Sequence, residues 1–311
     1  MYNRYWLSAL TLALSLSWMP LSNAQEQKPL KIGISVSDLS NPYFRQLSRA
    51  AEAEAGRIAG GVDVLVVSSA YDLQRQSRQL QRFFTEGYHI MLVSAASYDG
   101  LTETITELRA KGAKVIAVDV KAEGVDATIT TDNNQAGSIS CDYIAEQLKG
   151  KGTVGVINGP PVSSIIDRID GCLDVLAQHS AIEVLDTDQN GGGTFDGGFE
   201  RMTHLLTAFP EINAVFAIND PSAMGAEQAA LAAGRDDVVI VSVDGAPEAK
   251  LRIKEDDTLI KATAAQFPSK IGALAAELGI RLAAGEVLTQ PTRKIETELI
   301  TVRNVWSYRT W

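Results

Sequence analysis

The chain has 311 residues, with 45% apolar and 21% charged side chains, the mix of a folded globular protein of about two domains. Lys and Arg number 28 against 38 Asp and Glu, a net charge of −10, which argues against a nucleic-acid partner because phosphate binding needs a basic face. Two cysteines and three scattered histidines (His89, His179, His204) do not supply the ligand set of a zinc site, so neither a metal nor a cofactor is expected.

Met1 to Ala24 has a polar start with Arg4, an apolar run from Trp6 to Met19, the breaker Pro20, and small side chains at Ser22 and Ala24. This reads as a secretory signal peptide cleaved after Ala24; the apolar run is too short for a membrane anchor. The mature chain is therefore expected in a periplasm.

From Leu30 onward, short β-branched runs alternate with helical stretches. Strands are predicted at Lys31–Val36, Val62–Val67, Ile90–Val93, Val115–Val118, Thr153–Ile157, Ile182–Leu185, Ala214–Ile218 and Val238–Val243. Helices are predicted near Pro42–Ile58, Leu73–Glu86, Leu101–Lys111, Asn134–Lys149, Ser164–His179, Gly198–Thr207, Pro221–Ala233 and Lys270–Ala284. Near-continuous Val/Ile strands separated by helices mean α/β architecture, with parallel sheet covered on both faces. Eight such strands could close into a barrel or form two open, doubly wound sheets. The extra extended piece Ala127–Thr131 breaks the alternation and reads as a crossover between two lobes, and the strand-like tail Arg293–Val305 could cross back.

In open parallel sheets, ligands bind beyond the carboxyl ends of the strands. The first strand runs into Asn41-Pro42-Tyr43-Phe44, the fourth into Asp119, the fifth into Asn158, the seventh into Asn219-Asp220 and the eighth into Asp244-Gly245; Gln266 ends the Ile260–Ala265 run. Amides, carboxylates and adjacent aromatics suit a hydroxyl-rich ligand, and no nucleophile–base pair stands out. Singly, each Asn or Asp could be a helix cap; Asp38 and Asp220 are read as caps or hinge residues. Consecutive helical side chains point about 100° apart, so the helix start is not expected to bury both Tyr43 and Phe44 in one core pocket. Cys141 and Cys172 both read as helix-face positions, open equally to a bridge or to two free buried thiols.

Together Asn41-Pro42-Tyr43-Phe44, Thr131-Asp132-Asn133-Asn134, Val215–Asp220, Val243–Pro247 and Ala265-Gln266-Phe267-Pro268 resemble, in order, the ribose-binding branch of the periplasmic type I sugar-binding proteins. The resemblance implies two Rossmann-like lobes joined by three hinge strands, with residues 25–130 plus 267–296 in one lobe and 131–266 plus 297–311 in the other. It implies a non-enzymatic monomer that holds a monosaccharide or polyol between its lobes and delivers it to the permease of an ABC importer, with presentation to a chemoreceptor or sensor kinase as the alternative. By motif, the ligand-binding residues would be Asn41, Tyr43, Phe44, Asp119, Arg168, Asn219, Asp244 and Gln266, with Ser94 and Phe195 as further candidates. Two departures from the ribose-binding pattern, Val120 in place of an arginine after Asp119 and Ser94 in place of an amide, leave a polyol, a deoxy sugar or another pentose as plausible as ribose. An enzymatic reading would need Asp119 and Asp244 as an acid–base pair.

Overall fold

The structure, a computed structural model, describes Met1 and residues 29–311 apart from 186 and 256. The signal-peptide reading lies outside the described residues, Met1 excepted. Among the described residues no helix is long and apolar enough to cross a membrane.

The chain builds β1 (Leu30–Val36), α1 (Pro42–Ala59), β2 (Val62–Ser68), α2 (Leu73–Thr85), β3 (Ile90–Val93), α3 (Thr102–Ala110), β4 (Lys114–Val118) and β5 (Ala127–Thr131). It then continues as α4 (Asn133–Gln147), β6 (Lys151–Asn158), α5 (Ser163–Leu176), β7 (Ala181–Val184), β8 (Gln189–Asn190), α6 (Phe195–Ala208), β9 (Ala214–Ala217), α7 (Asp220–Ala232), β10 (Val239–Asp244), α8 (Pro247–Ile253) and β11 (Ile260–Ala265). It closes with α9 (Pro268–Ala283), β12 (Thr292–Ile295) and β13 (Glu298–Thr301). Two sheets result. The first has the order β12-β5-β4-β3-β1-β2, all parallel, and the second the order β13-β11-β10-β9-β6-β7, in which β13 alone runs antiparallel and β8 pairs with β6 off the path. These are two open sheets and not a barrel, and Ala127–Thr131 is a full strand of the first sheet, with the crossing just after it.

The chain passes between the sheets three times: after β5, after β11 and between β12 and β13. The three passages are stitched to one another. Thr131 Oγ1 donates to Gln266 Oε1 (2.7 Å), Thr297 Oγ1 to the Ala265 carbonyl (2.8 Å), and the Thr297 N–H to Gln135 Oε1 (2.9 Å).

Local sequence explains the elements that carry the site. Asn41 caps α1, its Oδ1 accepting the Tyr43 N–H at 2.9 Å, and Pro42 takes the first helical turn, where a missing N–H costs nothing. The buried stripe of α1 runs Phe44, Leu47, Ala51, Ala55 at helical spacing and packs with α9 against the first sheet.

Helices α4 and α5 meet through glycine. A Cβ on Gly137 would lie 1.8 Å from the Arg168 carbonyl oxygen, and one on Gly171 2.2 Å from that of Asn134, so the two backbones touch where any side chain would wedge them apart. One turn beyond Gly137 and one residue beyond Gly171, Cys141 and Cys172 face each other with Cα atoms 5.0 Å apart and form a disulfide. The close crossing decides between the two readings of the cysteines: both sit on helix faces, and those faces are each other's.

Candidate functional site

A small cavity of about 40 Å³ lies between the lobes, at the carboxyl ends of both sheets. The first lobe contributes Asn41, Tyr43, Phe44 and Asp119; the second contributes Arg168, Asn219 and Asp244; Gln266 reaches in from a crossing segment. The structure thus brings all eight motif-derived residues to one place, although each has a distinct situation there.

Arg168, on α5, is 4% exposed. Its Nε donates to Asn133 Oδ1 (2.8 Å) and its Nη1 to the Ile218 carbonyl (2.9 Å), while Asn133 Nδ2 donates in turn to Thr130 Oγ1 and the Thr131 carbonyl (both 3.1 Å). The guanidinium is therefore tied to the first crossing segment and keeps its remaining N–H groups for the cavity. Gln266 accepts from Thr131 and donates through Nε2 to Asp244 Oδ1 (2.7 Å), linking two crossings to a cavity carboxylate. Asn219 both lines the cavity and caps α7, accepting the Ser222 N–H (3.1 Å), and its Nδ2 holds the Gly193 carbonyl (2.8 Å) at the cavity edge. Cap and site residue are the same side chain here, as they are at Asn41.

Two expectations need correction. The rings of Tyr43 and Phe44 are both buried (2% and 5% exposed) and both line the cavity, meeting edge to face with centroids 5.2 Å apart. The 100° argument counted only the core beneath the helix; the first turn of α1 lies between its own sheet and the cleft, so both directions are covered. The buried Tyr43 hydroxyl finds no hydrogen-bond partner among the described residues. Phe195 is 40% exposed and does not line the cavity; it opens α6 with its ring toward solvent, and the second lobe's apolar wall is Val162, Ile165 and Ile218. Ser94 is fully buried behind the cavity, its Oγ 3.0 Å from Ser37 Oγ.

Sequence reasoning also missed Tyr71, which follows β2 and lines the cavity. The carboxyl-end rule applied to the second strand would have found it. Asp220 proves to be neither cap nor hinge. It is fully buried, accepting from Thr263 Oγ1 and from the Ala246 N–H (both 2.7 Å) and from Ser242 Oγ, and so ties β10, β11 and the start of α8 together beneath Asp244.

Burial raises the Asp119 carboxyl above its ordinary value, opposed by the Arg168 charge. Burial first, and then the Asp220 carboxylate, push Asp244 up to about 8, and burial raises Asp220 as well. A carboxyl held above its unfolded value of about 3.9 retains a proton that the unfolded chain has lost, so it costs stability progressively as the pH rises from about 4 through about 8. The melting temperature of the unliganded protein is accordingly expected to fall between pH 5 and pH 8, and Asp244→Asn to flatten that fall. An identical pH profile in the variant would place the proton elsewhere.

Between the lobes, Lys121 Nζ pairs with Asp167 Oδ2 (2.6 Å) and the Lys121 N–H donates to Ser163 Oγ (2.7 Å). Among the described residues no three His, Cys, Asp or Glu side chains converge as a metal site.

Comparison with known proteins agrees on one kind of molecule. Residues 32–286 match the family described as periplasmic binding protein domain. The ribose import binding protein of Bacillus subtilis is 32% identical over 264 residues, covering 84% of each chain. An ABC transporter solute-binding protein from Mycobacterium smegmatis, solved with bound glycerol, superposes with a TM-score of 0.84 at 27% identity, covering 90% of this chain and 96% of its own. The Caulobacter myo-inositol binding protein, solved with myo-inositol, gives 0.81 at 27% identity, covering 89% and 95%.

Proposed function

Because this chain belongs to the periplasmic binding protein family, whose members bind solutes and are not enzymes, we propose that it captures a monosaccharide or small polyol between its lobes and passes it to the permease of an ABC importer. The lining carries this reading. Tyr43 and Phe44 offer faces for C–H surfaces, while Asp119, Arg168, Asp244 and Gln266 offer acceptors and donors for hydroxyls, and all of them line one cavity between the lobes. One chain supplies both walls, so a monomer suffices. The family's proteins are periplasmic, and the disulfide suits an oxidising compartment; export through a leader cleaved after Ala24 rests on the sequence alone.

Arg168 is the one cation among the lining residues described, and Val120 after Asp119 is buried and adds no donor. With the carboxyls of Asp119 and Asp244 in the same lining, that favours an uncharged ligand. A thermal-shift screen of the mature protein against ribose, allose, xylitol and myo-inositol tests the reading. A true ligand at a hundred times its dissociation constant adds roughly 2.7 kcal/mol of stability. No shift with any sugar or polyol, or turnover of one, would sink it.

Since groups from both lobes surround the ligand, binding favours the closed arrangement, which the Lys121–Asp167 pair and the Lys121–Ser163 hydrogen bond reinforce across the gap. Small-angle scattering is expected to show a smaller radius of gyration with ligand than without. An unchanged radius at saturation would count against hinges near Ala127–Thr131, Ala262–Gln266 and Glu296–Leu299.

A further inference from the structure

We propose that Tyr71 is a ligand-contacting specificity residue, whose ring limits the size of ligand the cavity admits and whose hydroxyl hydrogen-bonds to a ligand hydroxyl. The proposal rests on the sugar or polyol reading of this cavity.

Strand register brings Tyr71 there. β1 and β2 run parallel with Val36 opposite Ser68, so the loop after β2 emerges beside the loop that carries Asn41, Tyr43 and Phe44. That loop is pinned on both flanks. The Ser69 N–H donates to the Val36 carbonyl (2.8 Å), Ser68 Oγ to the Ser37 carbonyl (3.1 Å), and the Asp72 N–H to the Ser69 carbonyl (3.0 Å), while Asp72 caps α2 through the Arg75 N–H (2.7 Å). Between the pins, Ala70 and Tyr71 both adopt left-handed backbone, with φ of 51° and 57°. Glycine occupies that region without steric cost and a tyrosine does not, so the surrounding structure holds this residue against its own preference. Ala70 is exposed and lines nothing; Tyr71 lines the cavity.

The chemistry fits the position. The Tyr71 hydroxyl makes no hydrogen bond within the described chain, although burial, and then the charges of Asp119 and Asp38, keep the phenol protonated and so able to donate. The second lobe presents aliphatic side chains, Val162, Ile165 and Ile218, so the cavity's three rings, Tyr43, Phe44 and Tyr71, all stand on the first lobe's side. Removing the outlying ring changes the space available without touching Arg168 or Asp244.

Titration calorimetry of the wild type, Tyr71→Phe, Tyr71→Gly and Ala70→Gly against ribose, allose, xylitol and myo-inositol, with unliganded melting temperatures, tests this. Tyr71→Phe is expected to bind the best of these ligands roughly tenfold more weakly, the value of one lost hydrogen bond, with its melting temperature unchanged. Tyr71→Gly is expected to lose at least as much affinity while shifting preference toward the larger allose and myo-inositol, and to melt within about 2 °C of wild type because relief of the left-handed strain offsets the lost ring contacts. Ala70→Gly, which relieves strain outside the cavity, is expected to bind as wild type. Wild-type affinity and selectivity in both Tyr71 variants would overturn the assignment and leave the sugar reading intact, as would a Tyr71→Gly protein that melts far lower with unaltered selectivity. Failure of the wild type to bind any of the four would overturn the sugar reading and this assignment with it.

Discussion

Replacing Arg168 with alanine is expected to weaken ligand binding by roughly 2–4 kcal/mol, about thirty- to a thousand-fold, and to lower the unliganded melting temperature as well. Both effects come from one guanidinium. Its free N–H groups face the cavity, so their removal leaves ligand oxygens and the carboxylates of Asp119 and Asp244 without their cationic neighbour. Its other N–H groups hold Asn133 and the Ile218 carbonyl, which sequence alone did not reveal, so the residue is a brace as well as a binding group. Arg168→Lys is expected to recover only part of the affinity, because a point charge cannot reach three sites in one plane. Calorimetry and melting curves on the two variants check this; an alanine variant that binds within threefold of wild type would mean that the ligand sits elsewhere.

Loss of the disulfide is the second large effect. Cys141 and Cys172 are 31 residues apart, and a loop of that size closed in the unfolded chain corresponds to about 3.5–4 kcal/mol. The Cys141→Ala/Cys172→Ala protein is expected to melt about 7–15 °C lower. It is also expected to bind more weakly, because the bridge clamps α5, which carries Arg168, onto α4 at the Gly137–Gly171 crossing. Scanning calorimetry of the double variant beside the oxidised wild type measures the first effect. A difference of under 2 °C would show that the glycine crossing alone holds the helices.

The polar half of the site was legible because a general rule, ligands at the carboxyl ends of parallel strands, points to particular positions, and Asn41, Asp119, Asn219, Asp244 and Gln266 stand there. The rest depended on neighbours in space. Tyr71 becomes visible only once β2 is known to lie beside β1, and Val162 and Ile165 look like any apolar helix start until the cleft faces them. Phe195 was misplaced because a glycine-rich run gives motif matching nothing to hold, and the structure puts Gly193, not the ring, at the cavity edge. The strands apart from the two-residue β8 were readable from composition, and so were the helices apart from the short α8. The edge pairing of β12 and β13, which sorts the tail between two sheets, is a tertiary fact with no local signature.

The three passages between the sheets also determine how this molecule can be taken apart. Neither half is a continuous stretch of polypeptide. A fragment ending at Asp132 would keep β1 to β5 but lack α9 and β12, baring Leu47, Ala51 and Ala55 on α1 together with the unpaired edge of β5. Such a piece presents a broad apolar face and an open strand, the two features that make a chain aggregate. Excising one half as a separate module therefore requires rejoining its ends, from Thr131 to Pro268, where the three passages already lie side by side.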